Sequence, residues 1–171
     1  MRLPGRLGRL VDLPRGRRQL LWACGWALLR SSWQVRRWPF ARLAAALGVP
    51  LSPAAASRNA PATADRRGQL LAHDVRWAVA VWSRALPRQP SCLMLAVAAR
   101  QVLAARGVPC DLYFGVQAVT AAAAVVRPHA IGAHAWLRCG KLTVTGEAEA
   151  AAFQPIAIYR FEPTRVECTS S

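Results

Sequence analysis

The sequence predicts an α+β fold in which helices come first and a small antiparallel sheet follows. Three observations predict it. Between residues 17 and 106 apolar residues recur at helical spacing, interrupted only at proline-rich stretches. From Leu112 onward the period changes to two. Gly140-Lys141 then lies between two short strand-like runs, as the turn of a hairpin does. Helices followed by a run of strands define the α+β class.

Residues 17–48 read as helical with a break near Pro39. Arg17, Arg18, Arg30, Arg36, Arg37 and Arg42 flank apolar runs that contain Trp22, Trp26, Trp33 and Trp38. An apolar stripe of this kind ordinarily packs on the domain and leaves a solvated Arg rim. The same residues also suit a docking surface for an anionic peptide or a partner protein, because interfaces favour Trp and Arg. Residues 49–64 hold Pro50, Pro53 and Pro61 among Ala and Ser and read as a linker. Asp65 opens a second helical region with Leu70, Leu71, Val75, Ala78, Val79 and Trp82 on one side, and Pro87 and Pro90 end it. The third helix runs from Ser91, in the N-cap position, to about Arg106, where Gly107 and Pro109 stop it. It carries no charge before Arg100, so its first half is expected to be buried nearly all round as a central helix.

Leu112, Phe114 and Val116 alternate with Asp111, Tyr113 and Gly115, which predicts a strand. Residues 118–132 read as a loop with some strand, 133–147 as the hairpin, and 153–161 as a last strand. The chain divides into an Arg- and Trp-rich helical region and linker (1–64), a catalytic core (65–165) and a tail (166–171), within one compact domain.

With 171 residues and 54% apolar content the chain is long and hydrophobic enough for a packed core, and it is not a disordered chain. All its basic residues except Lys141 are Arg, and the net charge of +15 favours an anionic partner. No nucleic-acid motif accompanies the charge, so nucleic acid is not expected as a partner. Five cysteines at wide spacings, with no CxxC pair, argue against a disulfide framework or a four-ligand zinc site and for a reducing cytoplasm. The apolar run Leu20–Leu29 is too short to span a bilayer, which needs about 20 residues, so stable membrane insertion is not expected. His73-Asp74 resembles the core of a metal-dependent phosphohydrolase motif, but only His129 and His134 remain as further histidines. No metal or other cofactor is expected.

Cys92 falls in the first turn of the third helix, where unpaired backbone N–H groups and the helix dipole favour a thiolate. A bland alternative is a small core hydrophobe. His134 lies on the first strand of the hairpin. If Cys139 pairs with Leu142 and the count continues two for two, Trp136 faces Thr145 and His134 faces Glu147. A carboxylate beside an imidazole fixes its tautomer and stabilises its cation, the third role in a catalytic triad. The candidate constellation is therefore Cys92, His134 and Glu147. An ordinary surface His–Glu pair is the competing reading.

Residues 91–116, SCLMLAVAARQVLAARGVPCDLYFGV, followed by His134-Ala135-Trp136, resemble the lasso-peptide leader peptidases of the transglutaminase-like superfamily. Residues 38–48, WPFARLAAALG, are similar to that family's N-terminal helical part. The resemblance implies a papain/transglutaminase-like cysteine peptidase fold, with a central helix packed on the sheet. It implies Cys92 as nucleophile and His134 as base. The family's third residue is usually an Asp about a dozen residues after the His. The nearby carboxylates here are Glu147 and Glu149; Glu147 fits that place by register, with Glu149 or a backbone carbonyl as the next candidate. The implied substrate is a ribosomally made precursor peptide, cut between leader and core. The implied partners are a separate leader-binding winged-helix protein, since residues 1–60 do not look like one, and an asparagine-synthetase-like cyclase that uses ATP to close the macrolactam. An acyltransferase with the same catalytic groups, and a non-enzymatic basic binder of nucleic acid or membrane, are the alternatives.

Overall fold

The computed structural model describes residues 13–58, 63–117 and 132–163. The N-terminal helix α1 (Arg15–Arg37) buries Leu20, Leu21, Cys24, Ala27, Leu28, Ser31 and Gln34, a stripe at three- and four-residue spacing. It ends because Trp38 is extended, as the residue before Pro39 must be. Helix α2 (Phe40–Leu47) follows at once. The stretch read as a linker holds a short helix, α3 (Pro53–Arg58), and Leu51 forms an isolated antiparallel bridge with Ile158. Its alanines after Pro53 are good helix formers once the proline has started the turn.

Helix α4 (Arg66–Ala85) is capped by Asp65, whose side chain accepts from the Gly68 N–H at 2.7 Å. Ala72, Val75, Ala78 and Val79 are its buried face, while Leu70 is exposed and not part of the core as the apolar pattern suggested. Helices α1 and α4 approach closely at Gly25. A Cβ there would lie 2.7 Å from the Trp82 ring, whose Nε1 donates to the Leu21 carbonyl. The central helix α5 (Cys92–Ala104) is capped by Ser91, which accepts from the Met94 N–H. It is buried on all sides from Ala96 to Ala99. Ser31 of α1 fixes its start from behind, with the hydroxyl 2.9 Å from the Met94 carbonyl.

The sheet comprises β1 (Cys110–Gln117), β2 (Gly132–Cys139), β3 (Leu142–Thr145) and β4 (Gln154–Phe161), in the antiparallel order β3-β2-β1-β4. Helix α5 lies between α1 and this sheet, and Leu112, Leu137 and Tyr159 join its buried residues in one core. Asp111 and Arg160 are directly opposed in register, and the guanidinium donates to both carboxylate oxygens, which offsets the cost of burying Asp111. Helices followed by an antiparallel sheet make the fold α+β, as the change of period predicts. Most of the predicted loop, 118–131, lies outside the described residues, as do His129, Cys168 and the tail from 164.

Candidate active site

Cys92 is the first helical residue of α5. Its neighbours Leu93 and Leu95 are also only partly buried, so the front of the helix is open where its middle is closed. A cavity of about 590 Å³ lies against it, lined by Cys92, Gln89, Arg84, His134, Gly146 and Glu149 among others. The cavity therefore brings together a helix-start thiol and the imidazole of β2.

The imidazole is tightly held. His134 has a side chain only 4% exposed, stacked between Trp136 (5.8 Å, 19°) and Phe153 (5.0 Å, 30°). Its Nε2 lies 3.2 Å from the Gly146 carbonyl, and its Nδ1 lies 3.2 Å from Glu149 Oε2. A carbonyl only accepts, so Nε2 carries a proton and donates to it. A ring bearing N–H on both nitrogens satisfies both partners at once.

The carboxylate beside the ring is Glu149, not Glu147, and the reason is a β-bulge. The hairpin begins in the predicted register, with Cys139 opposite Leu142 and Arg138 opposite Thr143. It then slips by one, so that Leu137 and not Trp136 faces Thr145. An extra residue on one strand breaks the two-for-two count. The strand ends at Thr145, and Gly146, at φ 75° and ψ 22°, turns the chain into the one-turn helix α6 (Glu147–Ala150). Glu147 consequently has no strand partner. Its carboxylate takes a 2.6 Å hydrogen bond from Arg76 of α4, which also donates to the Thr143 carbonyl. Glu147 lines the cavity, but it clamps the β3–α6 corner to α4 instead of reaching the imidazole.

Sequence reasoning also missed Gly146. A Cβ at this position would lie 2.7 Å from His134 Nε2 and 2.9 Å from the Trp136 Cβ, so the close approach of its backbone to the ring requires glycine. The one visible signal is a Gly directly after an alternating Thr-Val-Thr run, which marks a strand end. Nothing in the sequence pairs Arg76 with Glu147, which are 71 residues apart.

The other thiols differ from Cys92. Cys24 and Cys110 are fully buried, and desolvation pushes their pKa values up to about 11 and about 12. Burial also raises Cys139. His73 stands on α4 next to Asp74, which pairs with Arg17, and among the described residues no cluster of three or more His, Cys, Asp and Glu side chains converges as a metal site would.

A partly exposed thiol at the start of a buried helix thus shares one cavity with a histidine on the adjoining sheet of an α+β domain. Residues 34–158 match the family model of the transglutaminase-like superfamily, and the chain belongs to that superfamily. No curated protein and no solved structure matches the chain.

Proposed function

We propose that this protein is a cysteine peptidase that removes the leader from a lasso-peptide precursor before macrolactam formation. The observation that carries the reading is that Cys92 and His134 line one cavity in a transglutaminase-like chain. The lasso-peptide assignment rests on the resemblance of residues 91–116 and 133–137.

In this mechanism the Gly146 carbonyl holds the Nε2–H tautomer, and Nδ1, which also faces Glu149 at 3.2 Å, takes the Cys92 proton. The Cys92 sulfur attacks the carbonyl carbon of the bond between leader and core. The oxyanion that forms takes a hydrogen bond from the Cys92 backbone N–H at the helix start, and Gln89 on the cavity wall is the candidate second donor. Collapse breaks the C–N bond, and His134 returns its proton to the departing core amine. Glu149, on the exposed side of the ring, acts as counter-ion to the imidazolium. Water then hydrolyses the thioester, assisted by His134, and releases the leader as a free acid.

The freed core amine is the substrate for ring closure. That step, with its ATP, belongs to an asparagine-synthetase-like partner. A separate winged-helix protein presents the leader. A cytoplasmic setting is proposed on the unpaired state of Cys24, Cys92, Cys110 and Cys139 among the described residues.

The test incubates the full chain with its precursor, with and without the leader-binding protein, and resolves the products by mass spectrometry. A leader ending in a free carboxylate, lost in Cys92→Ala and in His134→Ala, supports hydrolysis. A leader joined to an added amine assigns acyl transfer instead. Cleavage by Cys92→Ala at the wild-type rate refutes the cysteine mechanism.

A further inference from the structure

We infer that the outer face of α1 lays this protein on an anionic lipid bilayer. Trp22 and Trp26 are each 72% exposed and Trp33 is 56% exposed, with Leu29 exposed between them. An apolar stripe on a helix ordinarily faces the core. Here the core face of α1 is filled by Leu20, Leu21, Cys24, Ala27 and Leu28, so the tryptophans form a second apolar face turned outward. At 3.6 residues per turn, Trp22, Trp26, Leu29 and Trp33 fall within a sector of about 60° and span about 16 Å along the axis.

The charges complete the pattern. By the same helical geometry Arg18 and Arg36 lie along one flank of the stripe, and Arg30 and Arg37 along the other. None of these four has an ion pair among the described residues. Between Asp12 and Asp65 every charged residue is an arginine. Tryptophan is the side chain that prefers the headgroup boundary, and Trp on one face with Arg beside it is the composition of an interfacial helix. A bilayer with anionic headgroups offers an apolar strip and uniform negative charge on both flanks in one plane. A protein partner would need an apolar groove with an acidic rim on each side. No helix among the described residues is long and apolar enough to cross a membrane, so the face rests on the surface without spanning it.

The experiment mixes the full chain with vesicles of equal parts phosphatidylglycerol and phosphatidylcholine, or of phosphatidylcholine alone. Binding is read by co-sedimentation and by the blue shift of tryptophan fluorescence. The wild type binds the anionic vesicles, shifts to the blue, and is released by salt. Arg30→Gln/Arg36→Gln/Arg37→Gln weakens binding about a hundredfold, at the usual contribution of a basic residue near an anionic surface. Trp22→Ser/Trp26→Ser/Trp33→Ser keeps the charge and loses at least about a hundredfold, from the apolar area removed. Trp26→Ser alone, at a ring with no aromatic neighbour among the described residues, loses about tenfold and covers the case in which the triple variant does not fold. Equal binding to neutral and anionic vesicles overturns the proposal. So does undiminished binding by the Trp variants, which would reduce it to bulk charge attraction. Self-association of the lipid-free chain that disappears with the tryptophans would assign the stripe to a protein interface and also overturn it.

Discussion

Replacing Gly146 with Ala isolates what holds the candidate base in place. The residue sits at φ 75° and ψ 22°, where an L side chain costs about 1–2 kcal/mol. The added Cβ would meet His134 Nε2 at 2.7 Å, the Trp136 Cβ at 2.9 Å and the Ala135 carbonyl at 3.2 Å. The Ala135 carbonyl is β2 backbone, and the Trp136 Cβ is bonded directly to that backbone at the next residue, so these two yield least, and the corner opens or the imidazole turns. Either movement breaks the hydrogen bond to the Gly146 carbonyl, a further loss of about 1 kcal/mol. The sum, about 2–3 kcal/mol, leaves a domain of ordinary stability folded. Misplacing a catalytic group by about 1 Å costs on the order of a hundredfold in rate. The assay is the rate of Cys92 alkylation by iodoacetamide at neutral pH, read by peptide mapping beside precursor cleavage, with stability from denaturant unfolding. Gly107→Ala is the matched control, since Gly107 also has a positive φ of 67° but a Cβ there meets only Pro163, at 3.9 Å. Gly146→Ala is expected to lose about a hundredfold in both rates, and Gly107→Ala to lose stability alone. Equal reactivity of the two variants would refute the carbonyl as the group that orients His134.

Glu149→Gln is expected to slow cleavage about fivefold, the value of a charged hydrogen bond discounted for a carboxylate that is 68% exposed. Glu147→Gln should leave the rate unchanged and cost at most about 1 kcal/mol of stability through its exposed pair with Arg76. The reverse order in steady-state kinetics would restore the simple hairpin register. Native alkylation followed by peptide mapping should label Cys92 and spare Cys24, Cys110 and Cys139, whose thiols burial keeps protonated, and labelling of Cys24 or Cys110 before Cys92 would contradict their burial. Because Cys24 and Cys110 have folded pKa values raised to about 11 and about 12, stability is full below the unfolded thiol value and falls as pH rises toward them. Each thiol contributes a slope of about 1.4 kcal/mol per pH unit. Urea unfolding across that alkaline range should show a shallower slope for Cys24→Ala, and an unchanged slope would argue against the shift.

Local chemistry determined the parts of this protein that the sequence made legible. Ser91 before an uncharged apolar run, with Gly107 after it, specifies a buried helix with Cys92 at its first position, because capping and burial periodicity act within a few residues. The alternation around Leu112 specifies β1 for the same reason, and the paired motifs around Cys92 and His134 carry the resemblance to the superfamily. Tertiary structure alone decided which carboxylate meets His134. A single bulge in β3 and a left-handed Gly146 moved Glu147 to Arg76 and set Glu149 against the imidazole, and a one-residue change of register has no signature in a two-residue alternation. It also decided which face of α1 looks outward. That helix is apolar on more than one side, and only its packing on α4 and α5 determines that Leu21 and Leu28 go in while Trp22 and Trp26 stay out.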